Sequence, residues 1–275
     1  MRFSIRHETL YRYSTPVGLA PHVLRLTPRE EGARILAGGL TVEPMPAARQ
    51  ETTDRFGNRV TQVSFSGFSD VLRIESGFDL QTFAPPPMGD SGLPPLPWPT
   101  GPHDEFSEYR NVGGQDSTVQ AFASALAADA GWAALPFLDR LSRTLFTRMD
   151  RRIRFEGAAQ SPAHTLAIGR GACRDLTVLF MAACRGLGIA ARFVSGYQAE
   201  ADTPDGQRHL HAWPDVFLPG LGWRGFDPTH GIAVTDGHVA LCAAPEQAAT
   251  MPVEGGFYAN GVTATLDYSV RIATS

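Results

Sequence analysis

The chain has 275 residues, 43% of them hydrophobic and 19% charged. That length suggests two domains, each able to bury a core, and the composition fits neither a disordered nor a fibrous protein. A formal net charge of −4 and a pI near 6.1 exclude a chain-wide basic field for nucleic acid. The cluster Arg148, Arg151, Arg152 and Arg154 reads as a solvated helix end.

The N-terminal "MRFSIRHETLYRYS" alternates polar and apolar residues and lacks the uninterrupted apolar run of a signal peptide. No stretch approaches the ~20 apolar residues of a membrane span. The expectation is a cytoplasmic protein with no membrane and no nucleic-acid partner.

Residues 1–83 read as a β-rich N-terminal domain. "RFSIRHETLYRY", "VTQVSFSGF" and much of "VLRIESGFDLQTF" alternate as half-buried strands do, and Gly57-Asn58 marks a turn between two of them. An antiparallel sheet or small sandwich is expected. Residues 84–102, "APPPMGDSGLPPLPWPTGP", are too rich in proline and glycine for helix or central strand, and read as a semi-rigid linker.

Residues 103–275 then form the second domain. Asp116 or Ser117 can cap a helix with Val119, Phe122, Ala123 and Leu126 on one face, ended by Gly131. Leu138, Leu141 and Leu145 predict another helix from about Pro136 to Met149. In "GRGACRDLTVLFMAACRGLG", Leu176, Leu179, Phe180 and Ala183 define an amphipathic helix that Gly186 and Gly188 terminate. Cys173 sits at its start. Strand-like "ARFVSGYQ", "HAWPDVFLP" and "GWRGFDP" follow, so helices precede an antiparallel meander and the class is α+β. The tail from Cys242 to Ser275 carries one strand-like run, "VTATLDYSVRI".

Three cysteines without a close pair argue against a disulfide framework. Cys173 and Cys184 on one straight helix would lie about 16 Å apart, too far to bond. A helix N-terminus stabilises a thiolate, so Cys173 is a candidate nucleophile; the alternative is a small buried residue. Cys184 lies late on its helix and Cys242 follows "HVAL", and both read as buried structural residues.

A thiol nucleophile needs a base and the base an orienting acceptor. His211 heads the strand "HAW" and is the candidate base, with His209 two residues earlier as a rim residue. Asp227 ends "GWRGFD", where Pro228 pins the turn. Asp215 is its competitor, but lies about 13 Å from His211 along the same strand. Zinc held by His209 and His211 with Asp227 or Cys173 is the rival chemistry, yet no paired-cysteine or His-Glu-x-x-His signature is present. Neither a metal nor a cofactor is expected. Asp175, in the first helical turn, reads as a helix-start residue offset by Arg174. Pro214 inside a presumed strand requires that strand to be an edge there, or its pairing to be locally broken.

Taken together, "GRGACRDLTVLFMAACRGLGIAARFVSGY" and "HLHAWPDVFLPGLGWRGFDPTHG" resemble the transglutaminase-like superfamily, its bacterial branch in particular. "YRYSTPVGLAPHVLRLTPR" resembles the β-rich N-terminal domain often joined to that branch. The resemblance implies a papain-like α+β core with Cys173, His211 and Asp227 as a catalytic triad acting on a peptide or protein substrate through a thioester. Animal transglutaminases have Gln-Cys-Trp where this chain has Ala172-Cys173-Arg174. Hydrolysis is therefore expected ahead of amine transfer, with a non-catalytic binding module on the same fold as a further alternative. Trp213, Tyr197 and Arg174 are expected to contact substrate, and Arg192 to line the cleft.

Overall fold

The computed structural model describes residues 1–89, 92–101, 105–110, 116–154, 157–199 and 206–275. The N-terminal region contributes β1 (Arg2–Leu19), β2 (His22–Leu24), β3 (Ala33–Glu43), β4 (Ala48–Thr53), β5 (Arg59–Ser64) and β6 (Ser69–Thr82). The alternation in β1 and β6 buries Phe3, Ile5, Leu72, Ile74 and Leu80 on one face, the period-2 pattern of a sheet wet on its other side. All pairing among these strands is antiparallel: β1 lies beside β6, β6 beside β3, and β5 lies between β2 and β4.

Helices follow: α1 (Ser107–Arg110), α2 (Ser117–Asp129) and α3 (Ala134–Arg148), then the short strand β7 (Asp150–Arg151), α4 (Pro162–Ile168), β8 (Arg170–Gly171) and α5 (Cys173–Arg185). The Asp116 carboxylate accepts the Thr118 N–H at 2.8 Å, which starts α2 where the sequence places it. Leu138, Leu141 and Leu145 of α3 meet Leu176, Leu179 and Phe180 of α5 in one buried cluster.

The meander is β9 (Ala191–Gln198), β10 (His211–Leu218), β11 (Gly222–Asp227), β12 (Ile232–Ala233) and β13 (His238–Ala244), in the spatial order β12-β11-β10-β9-β13. α5 packs against β9 and β10. Every residue of β9 is buried, polar Arg192, Ser195 and Gln198 included, so its sequence lacks the clean alternation of a half-buried strand.

Two expected boundaries shift. The tail stays with the second unit's sheet only through Ala244; from Val253 onward it joins the N-terminal strands: β14 (Val253–Glu254) pairs with β2, β15 (Phe257–Tyr258) with the end of β1, and β16 (Ala264–Thr274) runs antiparallel along β1 from Phe3↔Thr274 to Tyr13↔Ala264. Its strand propensity was visible, but its partner lies some 260 residues away in sequence, and alternation carries no address. The segment expected to be a linker is partly a packed strap. Leu96 and Trp98 are buried in the helical core, tied by Leu96 N–H to Trp132 O at 2.8 Å and Trp98 N–H to Leu187 O at 2.9 Å. Proline density excludes regular structure there; it does not exclude burial of the apolar residues between the prolines. The two units share a core as well, for Tyr197, Ala199, Val239 and Leu241 pack with Ile5, Leu26 and Leu80.

Candidate active site

Cys173 is the first residue of α5, with Ala172 as an extended N-cap at φ −80° and ψ 171°. The approach to it is built by backbone geometry. Gly169 ends α4 in the left-handed region at φ 64°, and β8 pairs in parallel with β7 before the chain turns into α5. Asp175, fully buried, folds back so that its Oδ2 accepts the Ala172 N–H at 2.8 Å. A Cβ at Gly171 would meet the Asp175 Cβ at 2.8 Å, so this turn requires glycine. The Asp175 Oδ1 accepts the Gln160 N–H and an Arg154 guanidinium N–H, at 2.8 and 2.7 Å. Asp175 thus stands as a helix-start residue; Arg154 bonds its carboxylate directly, and Arg174 also interacts with its charge.

Pro214 shapes the other wall. β10 pairs with β9 along its length, whereas its ladder with β11 stops at Asp215↔Gly225. The pairing is therefore broken at Pro214, which has no N–H to offer β11. Ala212, two residues earlier and on the same side, keeps its N–H for the Cys173 sulfur. The His211 imidazole also hydrogen-bonds that sulfur, and its Nε2 donates to Asp227 Oδ2 at 2.8 Å, leaving Nδ1 for the thiol. Cys173, His211 and Asp227 thus meet in one continuous hydrogen-bonded chain.

The electrostatics follow. Burial works to raise the Cys173 thiol, but the hydrogen bond and charge of His211, with the Ala212 N–H, outweigh it and hold the thiol below its ordinary value. Burial works to lower His211, but the Asp227 charge and hydrogen bond push it up to about 10. Asp227 is held well below the carboxylate range: burial opposes its charge, and His211 with two further histidines overcomes that. The other thiols are inert by comparison, Cys184 raised well above 9.0 and Cys242 pushed up to about 12, both by burial.

The two further histidines were not singled out from the sequence. His230 Nδ1 lies 2.8 Å and His238 Nε2 3.2 Å from the same Asp227 Oδ2, while Oδ1 accepts the Thr229 and His230 backbone N–H groups at 3.0 and 3.3 Å. His230 had a local signal, three residues past Asp227 in "DPTH". His238 had none, since only the His238↔Gln198 register of β13 on β9 brings it here. Among the described residues, His211, Asp227 and His230 bring three ligand-type atoms within 4.8 Å of one another. Their nitrogen–oxygen separations, 2.8 Å each, are hydrogen-bond lengths.

Of the residues expected to contact substrate, Trp213 and Tyr197 are buried. Trp213 is buried, its ring 6.1 Å from that of His211 and 5.2 Å from that of His238, bracing both. Gly196, opposite His211 on β9, makes room for it: a Cβ there would meet the Trp213 Cη2 at 2.6 Å. Tyr197 is buried in the core shared with the N-terminal sheet, its hydroxyl 2.8 Å from His7 Nδ1, so it lies outside the cleft. Arg192 is buried against Asp215 and Glu31, at 2.8 and 3.1 Å, and also leaves the cleft; that pairing occupies Asp215 as well. Arg174 is half-buried beside Cys173 and donates to the Arg154 carbonyl at 2.6 Å. His209 bonds the Tyr268 hydroxyl at 2.7 Å.

Comparison with known proteins agrees with this architecture. Residues 3–81 match the bacterial transglutaminase-like N-terminal region, and residues 110–228 match the transglutaminase-like superfamily. An uncharacterized protein of Mycobacterium tuberculosis is 28% identical over 294 residues, covering 98% of this chain and 92% of the relative. One from Mycobacterium leprae is 25% identical, covering 98% of each chain. The crystal structure of a candidate cysteine protease from Cytophaga hutchinsonii superposes with a TM-score of 0.71 at 17% identity, over 99% of this chain and 90% of that one, and so shares the fold. Residues 110–228 thus belong to the transglutaminase-like superfamily core, and residues 3–81 before them to the bacterial transglutaminase-like N-terminal region.

Proposed function

We propose that the protein is a cysteine-dependent acyl-transfer enzyme that cleaves peptide or carboxamide bonds, with Cys173 as nucleophile, His211 as acid and base, and Asp227 as the group that orients and charges His211. The observation that carries this reading is the unbroken chain from the Cys173 sulfur through His211 to Asp227 at 2.8 Å, set at the start of α5. A thiolate held by an imidazolium and a helix N-terminus is the reactive form of cysteine.

In this mechanism the Cys173 thiolate attacks the carbonyl carbon, forming a carbon–sulfur bond as the carbonyl π pair moves to oxygen. The Cys173 backbone N–H, one of the first-turn donors of α5, stabilises that oxyanion. The tetrahedral intermediate collapses as His211 gives its proton to the departing nitrogen, leaving a thioester and a free amine. His211, now neutral, takes a proton from water as the water oxygen attacks the thioester. The carbon–sulfur bond breaks, the carboxylic product leaves, and thiolate and imidazolium are restored. Asp227 stays ionised throughout.

Arg174 stands where animal transglutaminases carry a tryptophan tied to stabilising the acyl-transfer transition state, and the absence of that tryptophan supports water over an amine as the acceptor. The test is a peptide library incubated with and without a primary amine, using wild type and Cys173→Ala. Hydrolysed products from wild type alone support the reading. Amine adducts in place of acids make it a transferase, and turnover by Cys173→Ala overturns it.

A further inference from the structure

Asp227 receives more donors than orienting one histidine requires. Its Oδ2 faces three imidazoles, from His211 on β10, His230 in the turn after β11, and His238 on β13, at 2.8, 2.8 and 3.2 Å. Its Oδ1 is filled by two backbone N–H groups. An ionised carboxylate only accepts, so each facing nitrogen must carry its proton. This sets the tautomers. His238 is protonated on Nε2, and its Nδ1 is buried with no hydrogen-bond partner, on a side chain only 1% exposed. A second proton there would be a buried unsatisfied donor, so His238 works as a neutral dipole. Burial lowers it accordingly. His230 donates through Nδ1 and is the most open of the three, its side chain 18% exposed.

We propose that His230 and His238 are positioning residues that hold the Asp227 carboxylate in place and limit how much of its negative charge reaches His211. The inference rests on the cysteine reading above. Hydrogen bonds on one oxygen share the same lone pairs and charge, so each N–H from His230 or His238 weakens the hold of Asp227 on the His211 imidazolium. Without that sharing, a buried carboxylate at 2.8 Å would over-stabilise the imidazolium and leave His211 a poorer proton donor to the leaving nitrogen. Among the described residues, Cys173 of α5 also meets His211, and Arg151 of β7 donates to the carbonyl of Thr229, the neighbour of His230, at 2.8 Å.

The experiment is the rate of Cys173 alkylation by iodoacetamide as a function of pH, which reads the thiol–imidazole pair without any substrate. Wild type is expected to show two inflections, thiolate formation and, near pH 10, loss of the His211 proton. His230→Ala and His238→Phe each remove one donor, and the upper inflection should rise by about half a pH unit. His230→Asn and His238→Gln put an amide N–H back near Nδ1 and Nε2 respectively, and should return the inflection to its wild-type position. A residue with a merely structural role would lower melting temperature and leave the inflection where it is. An unmoved or lowered inflection in folded His230→Ala overturns the proposal, and the exposure of His230 makes that variant the decisive one should His238→Phe fail to fold. A wild-type profile with the single inflection of an ordinary thiol would instead remove the cysteine reading itself, a result distinct from an unmoved upper inflection.

Discussion

Asp227 Oδ2 and His211 Nε2 stand 2.8 Å apart in a fully buried contact, and that bond decides which nitrogen of the ring meets Cys173. Asp227→Asn keeps the shape and removes the charge. The imidazolium then loses its largest support, and the amide can turn its own N–H toward Nε2 and impose the wrong tautomer. The expected loss in kcat/KM is on the order of 10³- to 10⁴-fold. His211 should also release its proton below the value of about 10 it has in the native protein. Steady-state kinetics on a substrate found by library profiling, with the alkylation profile beside them, check both; near-native kcat/KM would sink the role of Asp227.

The three thiols should separate cleanly. Cys173 is the only one paired with an imidazole among the described residues, whereas burial raises Cys184 and Cys242. Limiting iodoacetamide at neutral pH should label Cys173 faster than either by at least about tenfold, since thiolate fraction controls the rate. Peptide mapping of the labelled protein reads the order, and equal labelling of Cys173 and Cys184 would count against an activated thiol.

How much of this was legible depended on sequence distance. The α5 stripe, the Asp116 cap and the "ARFVSGYQ" strand are local patterns, and all three form where the residues dictate. Cys173, His211 and Asp227 could be named because each stands at the end of a regular element, where a side chain can be aimed. Trp213 and Tyr197 lie in the core, and in sequence an aromatic on a strand looks the same whether it faces the cleft or the core. His238 was invisible, since strand register alone delivers it to Asp227. The return of β16 to β1 was invisible for the same reason.

Gly196 gives a direct test of how the site is braced. A Cβ there would lie 2.1 Å from the Val239 carbonyl oxygen and 2.6 Å from Trp213 Cη2, so backbone and indole must both move. Gly196→Ala should cost about 2–3 kcal/mol of stability, the scale of overpacking in a filled core. Because Trp213 touches both His211 and His238, activity at a temperature where the variant is folded should fall as well. An unchanged melting temperature would mean the sheet absorbs the methyl group by shifting β13, and the bracing role of Trp213 would lose its support.

His7 makes the union of the two units sensitive to acid. It is 4% exposed, with Nδ1 against the Tyr197 hydroxyl at 2.8 Å and Nε2 3.3 Å from Thr9 Oγ1, and burial lowers it from 6.5 to about 4. The unfolded chain therefore binds a proton between pH 6.5 and 4 that the folded chain refuses. The stability from this residue is fully present above 6.5 and drains away as pH falls toward 4, by about 3 kcal/mol at ~1.4 kcal/mol per unit. His7→Asn retains a polar group near Nδ1 and cannot take up the proton, so its urea-unfolding free energy should fall less steeply over this window than that of wild type. Parallel slopes in the two proteins would show that His7 stays protonated inside the fold or that the sheet opens around it.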